Sequence, residues 1–170
     1  MTPHYYTIER NTQIVIALLK SHGIRKIIAS PGATNICFVA SVQIDSFFEV
    51  YSCVDERSAA YMACGLAAES GEPVVISCTG ATSSRNYMPG LTEAYYRKLP
   101  VLAITSSRGE NLIGHLKPQV TDREHLPTDI VMEHVTAPLV TDARTENLCT
   151  INVNKAILAL THKGGGPAHI

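Results

Sequence analysis

Short apolar runs alternate with amphipathic stretches along the first two thirds of the chain. The apolar runs predict four strands, at 25–30, 47–54, 74–78 and 101–105. The stretches between them predict helices with one apolar face, at 7–23, 35–44, 56–70 and 83–98. Thr7 is a suitable cap for the first helix, and Gly23 is suited to end it. This regular order predicts repeated strand–helix units.

The last third of the chain has a less regular pattern. Glycines and prolines between 106 and 127 predict a long irregular segment, which in a small domain is more often functional than not. Thr128 or Asp129 can cap a short helix that ends at Glu133, and 135–141 resembles a strand. Pro138 interrupts that strand, so we place it at or near an edge of the sheet. A helix at 145–162, with Leu148 and Ile151 inward, and a strand at 168–170 complete the prediction.

Strands that alternate with helices predict a parallel sheet covered on both faces. We therefore expect one doubly wound, three-layer α/β/α domain with about six parallel strands. Ligands of such sheets bind outside the carboxyl ends of the strands. The last predicted strand stops at Ile170, so we expect the chain to be the front part of a longer polypeptide.

Composition and charge narrow the function classes. The formal net charge is −1, and the basic residues form no cluster, which argues against binding to nucleic acid. No apolar run is as long as a membrane span. The five cysteines stand singly and the seven histidines show no ligand spacing, so neither a zinc site nor a disulfide framework is favoured. We expect a cytoplasmic protein.

The most informative segment follows the second predicted strand. Asp55 and Glu56 open a helix that is rich in alanine and glycine, and such a helix can lie very close to a neighbouring backbone or a flat ligand. An acidic residue here can simply stabilise the helix N-terminus, by about 0.3–1 kcal/mol. The apolar residues around Glu56 favour a second interpretation, in which its carboxyl exchanges a proton. Asp55 is then the better candidate to cap the helix.

Two turns lie at the ends of other strands. Segment 79–84, TGATSS, can bind a ligand or simply cap the next helix with one of its hydroxyl groups. Segment 31–35, PGATN, can present backbone amides to an anion or can be an ordinary strand–helix loop. The pattern alone leaves both pairs of alternatives open.

The segment DERSAAYMACGLAAESGEPVVISCTGATSSRNYMPGLTEAYYRKLPVLAITSSR carries a family resemblance. It resembles the pyrimidine-binding (N-terminal) domain of thiamine-diphosphate enzymes, in the acetolactate synthase and SEPHCHC synthase branch of the 2-oxo-acid decarboxylases. The similarity extends from the first helix to the terminal GGGPAHI, which resembles the GPVHIN that closes this domain.

The resemblance implies a role for each of several residues. Glu56 corresponds to the glutamate that hydrogen-bonds N1′ of the cofactor's aminopyrimidine and so promotes removal of the thiazolium C2 proton. The resemblance further implies that five residues lie beside the pyrimidine ring, namely Thr79, Gly80, Ala81, Thr82 and Asn86. It places three residues on the substrate side, namely Ala33, Thr34 and Gln119. The substrate would be a small 2-oxo acid such as pyruvate.

Three departures from the family pattern qualify the resemblance. Ala33 and Thr34 stand where the menaquinone-pathway enzyme has serine and arginine, and TGATSSRN replaces the GPGATN of acetolactate synthases. The GDG motif that holds the diphosphate through a divalent metal is absent from the sequence. The resemblance therefore implies that this chain is half of a site for thiamine diphosphate and Mg²⁺. A diphosphate-binding domain of the same or another polypeptide would complete the site, in a homodimer or homotetramer. The isolated chain should be inactive.

Two other functions remain open at this point. One is the α subunit of a two-subunit decarboxylase of the sulfopyruvate or phosphonopyruvate type, since such subunits are near this length. The other is a non-catalytic flavodoxin-like module that binds a ligand.

Overall fold

The computed structural model describes residues 6–80, 82–122 and 125–170. Within these residues, strands and helices alternate as the sequence predicts. The strands are β1 (Lys26–Ala29), β2 (Glu49–Ser52), β3 (Val74–Thr79), β4 (Val101–Ser106), β5 (Glu133–His134) and β6 (Ala168–His169). The helices are α1 (Arg10–Ser21), α2 (Ile36–Ile44), α3 (Glu56–Ser70), α4 (Thr82–Asn86), α5 (Met88–Arg97) and α6 (Ala143–Ala159). Two short 3₁₀ turns lie at Glu110–Leu112 and His162–Gly164.

The six strands form one sheet in the order β2-β1-β3-β4-β6-β5. Each neighbouring pair is parallel. Helices α1, α2 and α6 pack on one face, around Ile27, Val75 and Leu102. Helices α3 and α5 pack on the other face, around Ile28 and Ile76. The predicted three-layer α/β/α fold with six parallel strands is confirmed.

The predicted close approach of α3 occurs within the domain. Ala60 of α3 is fully buried against α5. A Cβ atom added at Gly90 of α5 would lie 2.5 Å from the Cβ of Ala60, so only glycine allows this contact. The alanine-rich face of α3 is therefore packing surface inside the domain.

Three predicted elements differ from the structure in position or in number. The helix predicted to end at Glu133 is absent among the described residues, and β5 occupies Glu133–His134 instead. The strand predicted at 135–141 is therefore displaced toward the N-terminus, although β5 does lie at a sheet edge as predicted. The helix predicted at 83–98 is two helices, because Pro89 near the start of α5 cannot donate a backbone hydrogen bond to the preceding turn.

Two predictions about helix faces and ends also need correction. Leu148 and Ile151 of α6 face outward and are 47% and 55% exposed, so they do not belong to the core. Helix α1 begins at Arg10, and the Thr7 hydroxyl accepts a hydrogen bond from the backbone N–H of Glu9, just before the helix. No helix among the described residues is long and apolar enough to cross a bilayer.

The five cysteines, all among the described residues, form no disulfide. Cys64, Cys78 and Cys149 are buried, and burial raises the thiol pKa of both Cys64 and Cys149 to about 11. Cys37 and Cys53 are only half-buried.

Candidate functional site

The site forms where the carboxyl ends of three neighbouring strands meet. Parallel strands β2, β1 and β3 end at the same edge of the sheet. The chain passes from β1 to β2 on one side and returns to β3 on the other, so the crevice between β1 and β3 is a topological switch point. Such a crevice is where open α/β sheets bind their ligands. Glu56, the 30–35 turn and Gly80 all follow these strand ends.

Glu56 is the first residue of α3, and its neighbour Asp55 caps the helix. The Asp55 side chain accepts a hydrogen bond from the backbone N–H of Ser58 at 2.7 Å. These contacts with Ser58 lower the pKa of Asp55. The prediction that Asp55 does the capping is therefore confirmed, and the Glu56 carboxyl is not needed for it.

The Glu56 carboxyl contacts Asn86, another residue of the predicted site. Asn86 Nδ2 donates a hydrogen bond to Glu56 Oε2 at 3.3 Å, and both residues are half-buried. The apolar surroundings predicted for Glu56 are incomplete in this chain. Val54, two residues after the edge strand β2, is 81% exposed. A second surface is needed to exclude water from Glu56.

The residue after Asn86 is a buried tyrosine. Tyr87 joins α4 to α5 and is fully buried. Its hydroxyl lies beside the Ser30 hydroxyl and the Cys78 thiol, but neither the Tyr87 nor the Ser30 oxygen reaches full hydrogen-bond geometry. Burial raises the pKa of Tyr87 strongly, so its phenol stays protonated. Tyr87, buried directly after Asn86, anchors the end of α4 in the core.

The turn after β3 carries the other predicted pyrimidine-side residues. The Thr79 hydroxyl donates a hydrogen bond to Ser83 Oγ at 2.9 Å. The backbone N–H of Gly80 donates to the Ser106 carbonyl at 2.6 Å. Thr82 begins α4 and is exposed. Ala81 lies outside the described residues.

The 30–35 turn lies directly against the turn after β3. A Cβ atom at Gly32 would be only 2.2 Å from the Thr79 methyl carbon, so the two turns are in contact. Asn35 is buried and accepts a hydrogen bond from the Gly32 N–H at 2.8 Å. Its side-chain amide donates to the Ser30 carbonyl at 3.1 Å and to Ser77 Oγ at 3.2 Å. These bonds hold Ala33 and Thr34 outward, at the rim of the site.

A cleft of about 460 Å³ opens beside Thr34. Val15, Phe38 and Ile104 form apolar parts of its wall, and its polar parts include Thr12, Thr34 and Arg108. Arg108 is exposed and has no ion-pair partner among the described side chains. Glu9 also lines the cleft, so its described lining presents one guanidinium and one carboxylate beside an apolar wall.

Gln119 is the predicted substrate-side residue for which no described contact with the site is found, so its role stays a prediction. It is exposed, has a φ of +60°, and is not among the described residues that line the cleft. The sequence analysis in turn missed Asn35, Ser106 and Arg108. Asn35 had only a weak signal, since asparagine is common in turns because its side chain bonds nearby backbone. Ser106 and Arg108 depend on contacts between distant segments, which no local pattern reveals.

Comparison with known proteins identifies the family. The family described as "Thiamine pyrophosphate enzyme, N-terminal TPP binding domain" matches residues 10–126. The chain therefore belongs to this family, and the resemblance inferred from its motifs is confirmed.

Relatives and solved structures agree with this assignment. The 2-succinyl-5-enolpyruvyl-6-hydroxy-3-cyclohexene-1-carboxylate synthase of Phocaeicola vulgatus is 36% identical over 165 residues, which cover 97% of this chain and 30% of the relative. The protein of the same name from Porphyromonas gingivalis is 37% identical over 119 residues, which cover 70% of this chain and 21% of the relative. The chain thus spans about 30% or less of the length of these relatives.

A solved structure supports the fold independently. The thiamine diphosphate-dependent 4-hydroxybenzoylformate decarboxylase of Rhodococcus jostii RHA1 superposes with a TM-score of 0.77 at 20% identity. The match covers 94% of this chain and 29% of that chain. At this identity the likeness shows the fold alone.

Proposed function

We propose that this chain is the pyrimidine-binding domain of a thiamine-diphosphate-dependent enzyme that decarboxylates a 2-oxo acid and transfers the remaining fragment. The observation that carries the proposal is the contact between Glu56 and Asn86 at the switch point of the sheet. Membership of the thiamine pyrophosphate enzyme family supports the choice of cofactor.

The residues present fit an aminopyrimidine ring. Glu56 offers a half-buried carboxyl that can share a proton with a ring nitrogen, and Asn86 fixes one of its two oxygens. Gly80 lets the turn after β3 lie close to the end of β4, since a side chain there would contact the Ser106–Ser107 backbone at 3.1–3.2 Å. When bound, thiamine diphosphate would supply the carbanion chemistry at its thiazolium ring. Glu56 would hold the proton that activates it, and Thr79, Gly80, Ala81 and Thr82 would border the ring.

We assign the diphosphate and Mg²⁺ to a diphosphate-binding domain of the same or another polypeptide, as the resemblance implies. Among the described residues no group of three or more histidines, cysteines or carboxylates is placed to hold a metal. Mg²⁺ needs carboxylate or phosphate oxygens in near-octahedral geometry. The diphosphate domain would also cover Val54 and remove water from around Glu56.

The outer face of α3 is the surface that we assign to this partner. Its alanine face is used inside the domain, whereas Tyr61 and Met62 are 48% and 42% exposed on the other side. Arg57 is exposed one residue after Glu56. Aromatic residues, methionine and arginine are enriched in protein interfaces. In the complete enzyme we expect a homodimer or homotetramer that buries this face.

The cleft beside Thr34 is the space that we assign to the substrates. Thr34 lines it, with Ala33 next in the chain, and Arg108 offers a guanidinium for a carboxylate. The relatives are named for a product that carries a succinyl group and a ring carboxylate, and Arg108 can pair with one such carboxylate although Glu9 also lines the cleft. The relatives' reaction is therefore the first activity to assay, with pyruvate as the second donor.

The direct test is Glu56→Gln in the complete enzyme, with Glu69→Gln as the matched control. Glu69 lies on the same helix, is exposed, and is far from the strand ends. Glu56→Gln should lower cofactor-dependent turnover by about 10²-fold or more, since general acid–base groups contribute about 10²–10⁴-fold. Glu69→Gln should leave turnover unchanged. Equal turnover in both variants would favour a non-catalytic ligand-binding module.

A further inference from the structure

The backbone carbonyl of Ser106 accepts hydrogen bonds from both turns of the site. Thr34 Oγ1 donates to it at 2.6 Å, and the backbone N–H of Gly80 also donates at 2.6 Å. A carbonyl oxygen has two lone pairs, so both are engaged. Ser106 is the last residue of β4, which lies beside β3 in the sheet. One atom at the end of β4 therefore holds the substrate-side turn and the cofactor-side turn together.

The contacts around this carbonyl leave the two turns little room to move separately. Gly32 packs against the Thr79 methyl group so closely that a Cβ atom there would overlap it. A Cβ atom at Gly80 would lie 3.0 Å from the Ser107 Cβ and 3.1 Å from the Ser106 oxygen. Asn35 fixes the base of the 30–35 turn to β1 and β3.

We propose that Thr34 is a positioning residue whose hydroxyl couples the substrate-side turn to the cofactor-side turn through the Ser106 carbonyl. What each turn binds rests on the function proposed above, but the coupling rests on these contacts alone. Without the hydroxyl, residues 33–35 lose their only described side-chain hydrogen bond to β4. The Ser106 carbonyl, which accepts the Gly80 amide, then loses its second hydrogen bond and is held less firmly. Each turn should then respond to a change made in the other.

The first test uses amide hydrogen exchange on the complete enzyme without cofactor. Thr34→Val keeps the shape of the side chain and removes its hydroxyl, whereas Thr34→Ser keeps the hydroxyl. In Thr34→Val, peptides covering 31–35 and 79–84 should both exchange faster, by about two- to tenfold, the effect of one hydrogen bond. Thr34→Ser should restore slow exchange in both. Faster exchange confined to 31–35, or the same result for valine and serine, would overturn the coupling.

The second test follows ligand binding in the complete enzyme with thiamine diphosphate and Mg²⁺. Thr34→Val should weaken cofactor binding about threefold or more although Thr34 lies on the substrate side, because groups in one network are energetically coupled. Thr34→Ser should bind the cofactor as the wild type does. A change in substrate KM alone, with cofactor affinity intact, would contradict the proposal.

Failure of the coupling and failure of the proposed function give different results. If Glu56→Gln leaves turnover intact, the proposed function is wrong whatever Thr34 does. If Glu56→Gln abolishes turnover while Thr34→Val leaves exchange at 79–84 unchanged, only the coupling is wrong.

Discussion

Asn86 at the end of α4 donates a hydrogen bond to Glu56 at the start of α3, across 30 positions of sequence. The bond exists because α4 follows the central strand β3 and α3 follows the edge strand β2, and both strands end at the same edge of the sheet. It orients the carboxyl on which the proposed function depends.

The first prediction concerns this bond. Asn86→Ala should leave the carboxyl of Glu56 without its described side-chain donor and reduce turnover of the complete enzyme. We expect a loss of about tenfold, since a hydrogen bond to a charged group is worth about 1.5–3 kcal/mol and part of that is recovered from water. Steady-state kinetics with saturating cofactor measures the effect. Asn86→Ala with unchanged kcat would show that Glu56 does not need this donor.

The second prediction is that the 170-residue chain alone binds thiamine diphosphate weakly or not at all. Glu56 provides one charge-assisted hydrogen bond, worth about 1.5–3 kcal/mol. Association costs at least about 4 kcal/mol, so one such bond and the stacking of a small ring leave little net affinity. Isothermal titration calorimetry with cofactor and Mg²⁺ should show no saturable heat. Micromolar binding would require a diphosphate site in this chain, and the irregular 107–127 segment would be the place to search for it.

The third prediction compares two helical glycines. Gly90→Ala should destabilise the domain by about 1–3 kcal/mol, because the added methyl group would lie 2.5 Å from the Ala60 Cβ. Gly65→Ala should stabilise it by about 0.5–1 kcal/mol, because nothing lies within 4 Å of an added Cβ and alanine favours a helix. Urea denaturation of the two variants gives both values. Similar stability for the two would mean that α3 and α5 are not in close contact.

The fourth prediction concerns acid stability through the capping box of α6. Asp142 accepts a hydrogen bond from the Thr145 N–H at 2.7 Å, and its contacts with Thr145 lower its pKa below the usual 3.8. A lowered pKa in the folded state stabilises the protein above the unfolded-state pKa. This contribution is lost as pH falls from about 3.8 through the lowered value.

The substitution Asp142→Asn removes the titrating charge but keeps a side chain that can cap the helix. Asparagine caps helices about as well as aspartate, so the variant should keep the helix while losing one titrating group. Thermal unfolding between pH 7 and pH 2 should then show a smaller decrease in Tm for the variant than for the wild type. Parallel curves would mean that Asp142 does not contribute to the acid transition.

Much of the fold was predictable because its cause is local. The apolar runs that form β1, β3 and β4 are bounded by turn residues, and helices α1 and α5 each have a clear apolar face. Strand β5 was not predictable, because two residues become a strand only by pairing with β6. The outward position of Leu148 and Ile151 was also hidden, since α6 carries apolar residues on more than one side.

The site was predictable to the extent that its residues follow strand ends. The structure brings Glu56, Asn86, Thr79, Gly80 and Thr34 to one edge, and the pattern of strands was enough to expect that. The shared Ser106 carbonyl joins positions 34, 80 and 106, and its role depends on how β4 lies against β3. Tertiary contacts of this kind leave no periodic signal in the sequence.

The central claim is that Glu56 activates the cofactor, and proton exchange at the thiazolium C2 position tests it most directly. The complete enzyme with bound thiamine diphosphate is mixed with D₂O, quenched in acid, and analysed by proton NMR. Glu56→Gln should slow the exchange by about 10²-fold or more, while Glu69→Gln should exchange at the wild-type rate. Wild-type exchange in Glu56→Gln, with the cofactor fully bound, would contradict the account.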